Sequence, residues 1–174
     1  MAPSTPSETG FPVSIVMERR VRQRARWQYV EWKAVGVLTG KEHISEEAGR
    51  RVIHEDEECQ RVLWTGFVIR LVKDGAESYW SNLMAEHPSL FVVCRRQEDA
   101  DEPNPFLVTV NYDQIIGYQE VDDDVYRLPL PQDIYQWVER YVVNNYIPKE
   151  TKKRKRANWS ETTDVKAPAS QRRH

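Results

Sequence analysis

Three of the four histidines, both cysteines and two kinds of charge run carry what chemistry this chain offers, and their spacing decides what each can do. His43, His54 and His87 fall in three separate polar stretches, and none belongs to an HxxxH or HExxH pattern. Metal ligation needs such residues at ligand spacing, and nothing in the pattern marks one of them as a general base, so these histidines nominate neither. Asp122-Asp123-Asp124, with Glu120 close by, offers oxygens for a hard cation. It lacks EF-hand spacing and the turn glycine, and it reads as a solvated loop. Cys59 sits among acids, which oppose thiolate formation, and Cys94 lies in an apolar run and reads as a core thiol. There is no CxxC, no GxSxG, no P-loop and no GxGxxG. No constellation nominates a reaction, and the expectation is a protein that is not an enzyme. No metal or tightly bound cofactor is expected either.

The basic residues speak of binding instead. The chain has 174 residues and a net charge of −2, but the sign is divided. Residues 149–174 hold nine Lys/Arg and three Asp/Glu, leaving −8 on residues 1–148. The run Lys152-Lys153-Arg154-Lys155-Arg156 resembles a nuclear localisation signal. It suits nucleic acid, an anionic cofactor, an acidic membrane surface or an acidic protein face equally well, or serves as a solubilising tail. A second cluster places five arginines between Arg19 and Arg26, of which Arg19, Arg20 and Arg22 are candidate contacts to a partner or anion. Six tryptophans and eight tyrosines are many for this length. Most suit the core, and Tyr79 with Trp80 is a candidate exposed aromatic patch, since Trp and Tyr concentrate binding energy.

The elements that must position these residues are mostly strands. Val13, Ile15 and Met17 alternate at period two. The arginine run after them reads as a solvated hairpin or a loop. Trp27 to Leu38 is rich in aromatic and β-branched residues, and its alternation slips between Tyr29 and Val30, which suggests a bulge or a strand buried on both faces. Residues 40–60 are polar and acidic and read as a loop, with room for a short helix. Leu63, Phe67, Ile69 and Leu71 mark another long strand. Asp74-Gly75 signals a hairpin turn, with Glu77–Met84 as the returning strand. Leu90–Arg95 and Phe106–Tyr112 are two more strands, separated by the loop Gln97–Pro105. One helix is clear: Ile134, Trp137, Val138, Tyr141 and Val142 form an apolar stripe over about 131–146, with Pro131 at its first position and Asn144-Asn145 and Pro148 as its stop.

This pattern predicts a mainly β, β-rich α+β domain over residues 11–148. It is an antiparallel meander curling into a small barrel or sandwich, covered by one C-terminal helix. Residues 1–10 and 149–174 read as disordered termini. No apolar run approaches the roughly 18 residues of a membrane span, and the N-terminus has no signal-peptide pattern, so the expected location is cytoplasmic.

Seven segments in order carry a family resemblance: FPVSIVMER at 11–19, WKAVGVL at 32–38, LWTGF at 63–67, YWSNL at 79–83, PSLFVVCR at 88–95, VTVNYD at 108–113 and VYRLPLPQDIYQWV at 125–138. With the KKRKR tail they resemble a family of small bacterial proteins encoded beside molybdenum-dependent formate dehydrogenases. Such proteins are sometimes labelled molybdopterin-guanine dinucleotide biosynthesis protein A. The family transfers no catalytic residues. The guanylyltransferase label needs a nucleotide-binding α/β fold with a glycine-rich loop, and seven glycines in an antiparallel pattern do not supply one. The resemblance implies a non-catalytic accessory or maturation factor for the molybdoenzyme. Its partner would be a formate dehydrogenase subunit or maturation protein, with transient contact to molybdopterin guanine dinucleotide. The alternatives are a nucleic-acid-binding regulator and a small enzyme of molybdenum cofactor metabolism.

Overall fold

In β1 (Gly10–Arg24), Phe11, Val13, Ile15 and Met17 all bury their side chains on one face, as period-two alternation requires. The computed structural model describes residues 5–45 and 47–149. The opposite face of β1 is also covered, by the segment that follows β2 (Trp27–Leu38). Ser14 Oγ donates to the His43 carbonyl at 2.8 Å, and Thr65 Oγ1 donates to the Glu47 carbonyl at 2.9 Å. Gly66 makes the close approach possible. Its φ is +89°, and a Cβ there would stand 2.6 Å from Ala48 Cα.

The pairing of β1 with β2 matches Val16 to Gly36 and Met17 to Ala34, so Val35 is the extra residue. The bulge therefore lies beyond the slip at Tyr29–Val30 that the residue pattern suggested. Residues 40–60 are not a loop throughout. A single 3-10 turn at Lys41–His43 leads into β3 (Gly49–Glu55), which pairs with β4 (Cys59–Arg70). β1 pairs antiparallel with β4 as well, which gives the order β2-β1-β4-β3 and joins two hairpins instead of running as a simple meander.

After β4 the expected hairpin is absent. A 3-10 turn at Lys73–Gly75 runs straight into α1 (Ala76–Leu83). Buried Ala76, Tyr79 and Leu83 recur at helical spacing. Buried Asn82 ties α1 to the second sheet. Its Nδ2 donates to the carbonyls of Ser89 and Val110, both at 2.8 Å, and its Oδ1 accepts from Ser89 N at 2.9 Å. In that sheet β5 (Ser89–Gln97) lies between β6 (Ala100–Thr109) and β7 (Asp124–Pro129), both antiparallel to it. Between β6 and β7, Asn111 caps α2 (Tyr112–Gln119) by accepting from Asp113 N and Gln114 N. α2 seats Ile115 on Phe91 and Val93, closing the outer face of the sheet.

α3 (Gln132–Asn145) buries its predicted stripe in full, with Pro131 as the N-cap residue just outside the helix. Residues of both sheets, α1 and α3 meet in one core. Among the described residues the fold is thus strand-rich, with two antiparallel sheets and three α-helices. The two sheets are separate among the described residues, which favours a sandwich over a closed barrel. The N-terminal segment is tied in before β1: Trp137 Nε1 donates to the Ser7 carbonyl at 2.7 Å, and Leu71 N donates to Thr9 at 3.0 Å. Residues 7–10 accordingly belong to the domain and are not a free terminus.

Candidate functional site

The first hairpin outruns the second sheet. Every residue from Arg22 to Val30 is exposed, so this end of β1 and β2 stands out as a two-stranded arm. Its turn is Ala25-Arg26, with Ala25 at φ +54°, a positive value at the first turn residue as in type II′ hairpins. Trp27 keeps 79% of its surface in solvent and Tyr29 48%. Arg24 stands opposite Trp27 and Arg22 opposite Tyr29. Directly opposed residues share a face, so two arginines and two rings form one ladder. Large exposed aromatics beside arginines are the composition of binding hot spots.

The other predicted contacts are distributed differently. Glu18, also on this face, is buried and accepts from Arg20 Nε at 2.5 Å and from Arg61 Nε at 2.8 Å. The Arg20 bond, and then that of Arg61, hold the carboxyl at about 2 against the upward push of burial. Arg22 Nε donates to Glu31 at 3.0 Å, and Lys33 meets the other Glu31 oxygen at 3.0 Å. Arg19 is on the opposite face of β1, across from Trp32. Val21 N donates to the Glu58 carbonyl at 2.9 Å, which brings the acidic turn Glu55–Glu58 alongside. The arginine run is therefore not one positive surface. Two members are matched by carboxylates, one faces away, and Arg24 and Arg26 at the tip meet no carboxylate within 4.0 Å among the described residues. Lys152 to Arg156 lie outside the described residues.

The Tyr79–Trp80 patch is corrected. Because the segment is helical, Tyr79 turns inward, is 1% exposed, and meets Tyr141 edge-on at 6.2 Å. Its hydroxyl accepts from Val72 N at 3.1 Å. Trp80 is half-buried against Tyr146. Among the described residues Trp27, Tyr29 and Tyr112 are the exposed aromatics, and the first two share the arm, although the residue pattern suited most of the rings to the core. The nearness of Trp27 and Tyr29 to the Ala25-Arg26 turn was the available signal, since residues beside a long hairpin's turn lie farthest from the packed sheets.

Beside the arm lies a cleft of about 840 Å³. Val30, Glu31 and Trp32 form one wall, and residues 96–103 of the β5–β6 hairpin form another, with Asp124 and Tyr126. Arg96 pairs with Asp124 at 2.8 Å, and Arg50 makes a forked pair with Glu102 at 2.6 and 2.9 Å. Glu98, Asp99 and Asp101 have no cation within 4.0 Å among the described residues. Burial, then Asp124, pushes the Tyr126 hydroxyl well above its usual value. The cleft is thus anionic and lies along the same edge of β2 as the cationic tip.

The remaining titratable groups do not converge. His54 contacts Asp56 at 2.9 Å, His43 lies 3.5 Å from Glu42, and His87 is exposed. Asp123 and Asp124 face Arg95 and Arg96. No cluster of three His, Cys, Asp or Glu side chains is arranged to hold a metal ion among the described residues. Burial, with Asp124 and Asp123 adding, pushes the Cys94 thiol up to about 12. Cys59 is partly exposed on β4, paired across from Arg20. No helix among the described residues is long and apolar enough to cross a membrane.

Neither a curated protein nor a solved structure matches this chain. Residues 12–156, a span from the start of β1 past the end of α3, match the family described as a protein of unknown function, DUF3305. That match takes in the sandwich, its helices and the arm together, and the chain belongs to the DUF3305 family.

Proposed function

We propose that this protein is a non-catalytic accessory or maturation factor for a molybdenum-dependent formate dehydrogenase, working in the cytoplasm by binding the enzyme. The observation that carries the reading is the arm. Trp27, exposed to 79%, and Tyr29 stand on one face with Arg22 and Arg24, clear of the sandwich. A ring as large as Trp27 gains more from burial against a partner than from any contact it makes in the free chain. The choice of partner rests on the order of family-like segments in the sequence. The basic tail would add contact to an acidic face of the enzyme or to the phosphates of molybdopterin guanine dinucleotide.

A nucleic-acid-binding role is less well supported. A polyanion needs a continuous positive track, but Glu18, Glu31 and the Glu55–Glu58 turn interrupt the arginines. The test is affinity capture from the native host, comparing the full chain, a chain ending at Pro148 and the Trp27→Ala/Tyr29→Ala variant. The full chain is expected to recover a formate dehydrogenase subunit and the arm variant to lose it, with circular dichroism confirming that the variant folds. Deletion of the gene should lower molybdenum loading of the enzyme. No association and unchanged loading would overturn the reading.

A further inference from the structure

We propose that the protein pairs with a second copy of itself through the free edge of β2, strand to strand and antiparallel. β2 is an outer strand of its sheet. The two-residue turn makes Arg24 and Trp27 a hydrogen-bonded pair, so Trp27, Tyr29 and Glu31 direct their backbone groups to β1. Gln28 and Val30 direct theirs outward. Proteins guard such an edge with charge, proline or a bulge. β3 carries Arg50, Arg51 and a register shift between Val52 and His54, β6 carries Pro103 and Pro105, and β7 leads into Pro129. The stretch Trp27–Val30 has none of these, and Trp27, Tyr29 and Val30 are 79, 48 and 39% exposed.

Charge selects the occupant. Antiparallel pairing centred on Tyr29 sets Gln28 against Val30 of the other copy, joining the outward backbone groups of both. It also sets Arg26 against Trp32 of the other copy. Trp32 lines the anionic cleft, so the Arg24–Arg26 tip of each copy enters the cleft where Glu98, Asp99 and Asp101 of the other have no cation within 4.0 Å among the described residues. Both halves of the contact are the same by symmetry, and the assembly closes at two. In this arrangement directly opposed residues share a face, so the Trp27 and Tyr29 rings of both copies lie on one side of a continuous sheet. The edge is consumed and the arm's face is doubled for a third partner. The dimer stands on this geometry alone and does not depend on which enzyme that face binds.

The test is sedimentation equilibrium on the full chain over about 1 to 100 µM, a range that brackets micromolar association. A dimer weakened by salt is expected. Val30→Pro removes an N–H that the chain itself does not use, so the monomer should fold as before and dimerise at least about tenfold more weakly. Arg26→Glu should weaken the dimer similarly, and adding Asp99→Lys and Asp101→Lys to the same chain should restore it. The charge exchange decides the matter even if the proline variant misfolds. A monomer at every concentration, or a dimer indifferent to Arg26→Glu, would overturn the proposal. A monomer that still captures a formate dehydrogenase subunit would refute only the dimer.

Discussion

Replacing Glu18 by Gln probes the brace at the root of the arm. The carboxylate is 8% exposed, bridges Arg20 on its own strand and Arg61 on β4, and has its pKa lowered from 4.5 to about 2. A lowered folded-state pKa means stability that is present above the unfolded value and lost as pH falls through the folded one. The window is therefore about pH 4.5 down to about 2. A drop of that size corresponds to about 3 kcal/mol at neutral pH, at about 1.4 kcal/mol per unit. The two guanidinium side chains are 43 and 46% exposed. Solvent screens them, which brings the expectation to about 2 kcal/mol. Glu18→Gln should thus lower stability by about 2 kcal/mol at pH 7, or roughly 8 °C in melting temperature. At pH 3 linkage leaves less than about half of the contribution, so the two proteins should draw together. Urea unfolding of both at pH 7, 5, 4 and 3 measures the difference, and other carboxylates cancel in it. A difference that stays constant across these pH values would refute the electrostatic reasoning and leave a packing effect in its place.

Two further outcomes follow from the buried groups. In the native protein a thiol reagent at pH 8 should modify one cysteine, Cys59, while Cys94 reacts only after unfolding, because burial pushes its pKa up to about 12; mass mapping of the labelled peptides checks this. Trp137→Phe keeps a ring against Phe11 but deletes the indole donor to Ser7, which should cost about 1 kcal/mol and speed amide hydrogen exchange at Gly10, whose N–H bonds Ser7 Oγ.

Elements whose residues share one environment were legible in the chain. α3 could be read because its stripe faces one core, and β2 because Trp27–Leu38 has strand-forming residues throughout. β3 could not, because all seven of its residues are exposed and no alternation develops. β7 opens on an acidic run and ends at Pro129, and both features suggest a loop. α1 hid behind Asp74-Gly75, a hairpin cue that here belongs to a helical turn, although Ala76, Tyr79 and Leu83 already stood at spacings of three and four. α2 begins at the Asn111 cap, inside a stretch, Phe106–Tyr112, whose alternation reads as strand. The site followed the same logic. An arginine run is visible in sequence, but which arginines meet carboxylates depends on strand register, and Glu18 with Arg61 is a contact across 43 residues. Exposure of Trp27 is set by where the second sheet stops, a tertiary fact that strand propensity does not contain.

The central claim is that the arm is a docking surface for the molybdoenzyme. It is tested most directly by capture of formate dehydrogenase from the native host with the full chain and with Trp27→Ala/Tyr29→Ala. The account predicts that a formate dehydrogenase subunit accompanies the full chain and is lost from the equally folded arm variant. Equal recovery with both baits, or no recovery with either, would contradict it.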